Sequence, residues 1–265
     1  MTEKRPPAVL SIAGSDSGGG AGIQADLKAF AACGVHGMTA ITAITAQNTL
    51  GVSRVESVSP EMIFEQVRAV SSDIGVDAVK IGMLGDLPTI EAVREALGLV
   101  GEVPIVLDPV MVAESGAVLL EPEAVSALAE LLFPLATVAT PNIPEARELS
   151  GLEEDAGQEA LAHAVLALGP DAVVVTGGHS DQLTDLFVDQ GSAVEIPGER
   201  HPGAASHGSG CTHSSALAAF LALGRSPLDA AREARAVASA AVGAGLAALG
   251  GGAGPVDVLG RRASR

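Results

Sequence analysis

Five short apolar runs rich in β-branched residues, Ala8–Ala13, Ala78–Ile81, Pro104–Leu107, Ala136–Thr140 and Ala172–Thr176, recur between longer stretches of helical spacing. Runs this short fit strands better than buried helices, and most lack polar alternation, so they are expected to be covered on both faces. The stretches between them, Gly22–Cys33, Pro60–Asp73, Pro88–Leu99, Glu121–Leu132 and Gln158–Leu168, keep their charges to one side at a helical period. Because parallel neighbours need a crossover, this alternation predicts an α/β fold with a mostly parallel, helix-covered sheet. Leu186–Val188, the turn Asp189–Ser192 and Ala193–Ile196 interrupt the rhythm and predict an antiparallel edge hairpin. A Pro/Gly/His-rich loop, Pro197–Gly210, then leads to two Ala-rich helices, Cys211–Leu223 and Leu228–Leu249. Nothing along the way reads as a linker or repeat, so residues 1–265 are expected to form one domain.

Such a core must be aliphatic. Hydrophobic residues make up 48% of the chain, but aromatics only 2%, with no Trp or Tyr. Fifteen basic against thirty-two acidic residues give a formal charge of -17, which repels a nucleic-acid backbone and an anionic membrane face. An anionic substrate therefore needs local attraction from helix N-termini, a metal or a few placed cations. Cys33 and Cys211 match no metal spacing or redox pair, which favours a reduced, cytoplasmic setting. Ala8–Ala13 is too short for a signal-peptide core, so no export is expected, and the uncharged stretch between Arg235 and Asp257 is too rich in Ala, Gly and Ser for a membrane span.

Glycine-rich or polar residues follow most of the expected strands: Gly14-Ser15-Asp16, Gly82-Met83, Asp108–Met111, Pro141-Asn142 and Thr176–His179. Ligands of open α/β sheets bind outside the carboxyl ends of the strands, so these positions are expected to share one crevice. Ser17–Gly22 follows a strand and opens a helix, yet it lacks the Lys-Ser/Thr of a P-loop and the third glycine of GxGxxG. Two readings stay open there: a loop that lets backbone approach a ligand, or a plain tight turn.

His207-Gly208-Ser209-Gly210-Cys211 runs directly into a helix. Glycines at such a start leave amide N–H groups accessible at the positive end of the helix dipole, which makes an anion hole; the alternative is an ordinary loop-to-helix junction. Cys211 stands where a thiol pKa tends to fall, against the general tendency of lone cysteines to be small buried hydrophobes. Asn142 and Glu145, three apart, either share a face that serves a metal-bound nucleotide or form a helix cap.

Taken together, Ala13–Asp26, Thr45–Thr49, Lys80–Leu84, Leu107–Met111, Thr140–Ala146 and His207–Thr212 resemble the hydroxymethylpyrimidine/phosphomethylpyrimidine kinases of thiamine biosynthesis, in the ribokinase-like superfamily. The resemblance runs from Ala8 to Val256. It implies a three-layer sandwich and two successive ATP-dependent phosphorylations with Mg2+, carrying 4-amino-5-hydroxymethyl-2-methylpyrimidine to its monophosphate and then its diphosphate, in a cytoplasmic homodimer. Carried over position by position, Gln47 holds the pyrimidine edge, Gly14 and Asp26 line the pocket, and Met83 and Val110 pack on the ring. Gly208, Ser209 and Gly210 form the anion hole, while Cys211 takes the place of the Asp that is the catalytic base in sugar kinases. Asn142 and Glu145 organise Mg-ATP with Asp108 nearby, and Thr176 and Asp185 fall beside the nucleotide.

Four departures stand out. Thr176 and Glu114 replace lysines that the family often carries before Gly-Gly-His and before Ser-Gly, Ser209 replaces Thr, and Gly203-Ala204-Ala205-Ser206 is a less polar lead into the turn. The lost cations bear on the second phosphorylation more than on the first. Two rival expectations are a kinase for vitamin B6 alcohols and a catalytically silent pyrimidine-binding protein.

Overall fold

A computed structural model describes residues 5–177, 183–201 and 205–260. Strands β1 (Ala8–Asp16), β2 (His36–Asn48), β3 (Gly51–Ser57), β4 (Ala78–Ile81), β5 (Ile105–Leu107), β6 (Val138–Ala139), β7 (Ala172–Val175), β8 (Asp185–Asp189) and β9 (Ala193–Ile196) form one sheet in the order β3-β2-β1-β4-β5-β6-β7-β8-β9. The six central strands are parallel, and antiparallel strands close both edges. Helices α1 (Gly22–Ala32), α2 (Pro60–Asp73), α3 (Leu87–Ala96), α4 (Pro122–Leu131), α5 (Ile143–Ser150), α6 (Gln158–Leu166), α7 (Ser209–Ala222) and α8 (Pro227–Gly243) supply the crossovers and the last layer.

Strand alternation assigns the two faces. Leu10, Ile12, Val79, Ile81 and Leu107 pack with Ile63, Val67, Ile90, Val93, Leu128 and Leu161 of α2, α3, α4 and α6. Val9, Ala78, Val106, Val138 and Val174 face the other way, onto Phe30 of α1 and the alanines of α7 and α8. The same alternation turns Ser11 and Lys80 toward the α1 and α7 side, where both are completely buried. A lysine inside a four-residue buried strand has no route to water, so its charge requires partners.

The expected hairpin is β8–β9, with Asp189 Oδ1 accepting from the N–H groups of Gly191 and Ser192. A second hairpin, β2–β3, was not foreseen. Residues 39–46 repeat Thr-Ala-Ile with a period of three, which fits neither a strand nor a helix template, yet Thr and Ile are comfortable on a pleated surface. The last helix also ends earlier than Leu249: beyond Ala244 the chain folds back, and Leu246 N–H bonds the Pro255 carbonyl at 2.9 Å. Among the described residues no helix is long and apolar enough to cross a membrane.

Candidate active site

The carboxyl ends of six adjacent parallel strands open toward the N-terminus of α7. Gln47 ends β2, Gly14 sits at the irregularity near the end of β1, and Met83 and Val110 follow β4 and β5. Asp108 follows β5, Asn142 follows β6, Thr176 follows β7, and Asp185 begins antiparallel β8 at the same rim. The topology thus lays the positions matched to pyrimidine contacts on β2, β1, β4 and β5, and those matched to the nucleotide on β6, β7 and β8.

Gly208 caps α7 with φ +83°, and a Cβ there would lie 1.8 Å from the Gly20 carbonyl oxygen. Only glycine fits so close an approach at positive φ. The two glycine-rich segments are therefore pressed together. Ser209 N–H bonds the Ser206 carbonyl at 2.9 Å, while the N–H groups of Gly210 and Cys211 have no acceptor among the described residues. Among the described residues nothing lies within 4 Å of a Cβ built on Gly210. Two free amides beside open space, at the head of a 14-residue helix, can receive an anion.

Beneath them is a buried charged cluster that the motif reading did not find. Lys80 Nζ lies 3.1 and 3.2 Å from the two oxygens of Asp26 and 3.8 Å from Asp108 Oδ2. Asp26 also accepts from Ser11 at 2.6 Å and Ser215 at 2.7 Å, and Asp108 accepts from Ser214 at 2.9 Å. Burial pulls the Lys80 ammonium down, but Asp26, Cys211 and Asp108 outweigh it and hold it above its ordinary range. The signal available in sequence was the lone charge in Ala78-Val79-Lys80-Ile81. Asp26, expected to line the substrate pocket, is completely buried, with both oxygens engaged.

Cys211 overturns a second expectation. Its thiol does not fall in pKa but is pushed up to about 12, because burial and the carboxylates of Asp26 and Asp108 outweigh Lys80 and the N–H of Gly22. Asp108 is likewise raised by burial, against Lys80 and Ser214. Glu145 is pushed up to about 8 by burial and by Asp108. Asn142 and Glu145 form a reciprocal capping box at 2.9 Å each way, and Met111 N–H also donates to Glu145. The cap is therefore real, and it fixes the Glu145 carboxyl facing Asp108.

On the nucleotide side, Thr176 N–H bonds the Pro141 carbonyl at 2.9 Å, and Thr176 bridges to Asn142. Asp185 is completely buried, accepts from Gly177 N–H at 2.9 Å, and lies 3.4 Å from Arg235 Nη1 and 3.8 Å from His213 Nε2. Among the described residues neither ring nitrogen of His213, both buried, has a hydrogen-bond partner, and burial lowers its pKa. Met1 to Lys4, Gly178, His179, Gly203 and Ala204 lie outside the described residues.

Ser17–Gly22 does not offer its amides to a ligand. The N–H groups of Gly18, Gly20 and Ala21 all bond the Asp16 carboxylate, at 2.7, 2.9 and 2.8 Å. His207 Nε2 meets the same carboxylate at 3.2 Å, and its Nδ1 lies 3.6 Å from Glu114 Oε2.

A mostly parallel sheet with its rim of chemistry at the strand ends, and a helix start that presents free amides above buried carboxylates and a lysine, defines a ribokinase-like phosphotransferase. The sequence model of the family described as phosphomethylpyrimidine kinase matches residues 16–257. A hydroxymethylpyrimidine/phosphomethylpyrimidine kinase from Rhizobium meliloti is 51% identical over 254 residues, covering 93% of this chain and 95% of that one. Among solved structures, pyridoxal kinase from Staphylococcus aureus in complex with AMP-PCP has a TM-score of 0.89 at 33% identity, over 99% of this chain and 97% of that one. A phosphomethylpyrimidine kinase from Clostridium difficile has a TM-score of 0.77 at 42% identity, over 87% and 96%. The chain belongs to the phosphomethylpyrimidine kinase family.

Proposed function

We infer that this chain transfers the terminal phosphoryl group of ATP to 4-amino-5-hydroxymethyl-2-methylpyrimidine, and then to the monophosphate, supplying the diphosphate for thiamine biosynthesis. The observation that carries this reading is the pair of free amides at Gly210 and Cys211, set over Lys80 and Asp108 in a chain half identical to a kinase of that name. Such amides stabilise charge on a transferred phosphoryl group, which is the main task in a loose transition state.

Gln47 reads the aminopyrimidine edge, with Gly14, Met83 and Val110 around the ring. Asp26 acts from below, by holding Lys80. Cys211 contacts the reacting hydroxyl as a hydrogen-bonding thiol; because that thiol already holds its proton in the resting site, the hydroxyl proton passes late to an oxygen of the transferred phosphoryl group, as a loose transition state permits. Asn142, Thr176 and Asp185 border the ATP side. Asp108 and Glu145 fit Mg2+ by chemistry, since two carboxylates face each other at raised pKa and Mg2+ is commonly held by one or two carboxylates plus substrate phosphates. When bound, Mg2+ neutralises charge on the phosphates. The protein is taken to work in the cytoplasm as a homodimer of single-domain chains, residues 1–265; unpaired edge strand β3 and exposed Ile44 and Leu50 support the pairing.

Purified chain with ATP, Mg2+ and the hydroxymethylpyrimidine is expected to yield mono- and then diphosphate by phosphorus NMR. Absence of both products from folded protein would sink the reading. Pyridoxal run alongside tests the vitamin B6 reading raised by the S. aureus likeness, and tight pyrimidine binding without ADP release would mark a silent binder.

A further inference from the structure

His207 precedes the anion-hole turn and joins three segments that are distant in sequence. Its ring lies so close over Gly20 that a Cβ there would come within 2.1 Å of the His207 Cδ2. Nε2 meets Asp16 at 3.2 Å, at the head of the glycine-rich loop, and Nδ1 faces Glu114 at 3.6 Å, in the loop spanning residues 111–118. Ser206 Oγ donates to the other oxygen of Glu114. The loop carrying Glu114 is itself closed by the Val112–Val118 bridge and by Ala113 N–H to the Ala117 carbonyl at 2.8 Å. A pocket of about 150 Å³ opens at this junction, with Gln47, Thr49, Ala113, Glu114, Ser115 and His207 in its wall.

We propose that Glu114, His207 and Asp16 form a clasp that fixes the loop of residues 111–118 and the anion-hole turn against the pyrimidine half of the site, so that Glu114 and His207 are positioning residues for the alcohol substrate. This rests on the pyrimidine-kinase reading. An imidazole between two carboxylates ties both loops only while it carries its proton, because both ring nitrogens must then donate. The charged groups facing the ring are Asp16 from β1 and Glu114 from the loop; Gly20 packs against the ring, while Gly254 and Val256 hydrogen-bond the His207 main chain. Hydrogen bonds to Asp16 and Glu114 raise the ring to about 9 against its burial, and the same His207 contact helps to hold Asp16 below its ordinary value. The sign follows: the clasp is complete while both carboxylates are ionised and the imidazole holds its proton, and opens as pH rises through the raised imidazole value of about 9.

The test couples a titration that needs no substrate with steady-state kinetics. NMR titration of the His207 ring, assigned with His207→Asn, is expected to centre near about 9 in the unaltered protein and to move toward the ordinary value of about 6.5 in Glu114→Gln. In Glu114→Gln the KM for hydroxymethylpyrimidine should rise about tenfold with kcat within about twofold, and the alkaline fall of kcat/KM should begin at lower pH. An ordinary midpoint in the unaltered protein overturns the clasp. So does an unchanged KM in Glu114→Gln, including the case where only its melting temperature falls. An unaltered protein that never phosphorylates the pyrimidine removes the kinase reading instead, and the His207 midpoint alone then decides whether the clasp stands.

Discussion

Cys211 sits at the first turn of α7 with its thiol raised to about 12, so at neutral pH it is a hydrogen-bonding thiol rather than a standing thiolate. Removing it takes away contact with the reacting hydroxyl but leaves Gln47, Met83 and Val110 in place. Cys211→Ala is therefore expected to lower kcat by roughly 10²–10³, the range for a lost hydrogen-bonding group at the reacting centre, with pyrimidine binding by calorimetry nearly unchanged. Undiminished turnover would reduce the sulfur to packing. The glycine turn and its cysteine were legible because the signal is local: five consecutive residues before a helix. The pairing of Lys80 with Asp26 and Asp108 was not, because it depends on contacts across the fold, with Asp26 54 positions and Ser215 135 positions from Lys80. Breaking such a buried pair costs about 3–5 kcal/mol, so the cluster is a fixed floor rather than a responsive part. The Asp16 carboxylate explains why the glycine-rich loop misleads: its amides are turned inward to an anion the chain itself supplies.

At the scale of elements, the head of α7 makes two glycines do different work. Gly208 is required by positive φ and by the Gly20 carbonyl, whereas Gly210 lies inside the helix with open space around its missing Cβ. Gly208→Ala should force the two loops apart, lowering both the melting temperature and kcat. Gly210→Ala should hold or raise stability, by about 0.5–1 kcal/mol for a helix interior, and still lose turnover because the methyl group enters the space an anion needs. Thermal melts with parallel kinetics separate the cases, and full activity in Gly210→Ala would show that no ligand approaches there. Sequence revealed β1, β4, β5 and β7 because strands buried on both faces must be short and apolar. It overextended β6, whose ladder is only Val138 and Ala139, and missed β2–β3, where Thr-Ala-Ile hides the alternation. The Asn142–Glu145 spacing allowed a cap or a metal face; the cap itself now aims the carboxyl at Asp108, so the alternatives are compatible.

For the molecule as a whole, two opposed quantities govern self-association. The formal charge of -17 repels a second copy, while among the described residues β3 leaves a sheet edge unpaired and Ile44 and Leu50, near it, are 56% and 70% exposed. Exposed edges and apolar side chains favour a partner, and the charged side chains Arg54 and Glu56 on β3 oppose unlimited strand addition, so a closed pair is the expected outcome. Repulsion between like-charged copies is long-range and screened by salt, whereas apolar contact is not: the Debye length shortens from about 30 Å at 0.01 M to about 8 Å at 0.15 M. Dimerisation should therefore strengthen with salt. Light scattering at 0.15 M is expected to give twice the chain mass of 26.3 kDa, with sedimentation shifting toward monomer at 0.01 M. Ile44→Glu should give monomer at both salts without changing the melting temperature of the isolated fold. A single-chain mass at tens of micromolar in every salt would mean that the β2–β3 surface carries no second copy, and that each site works within one chain.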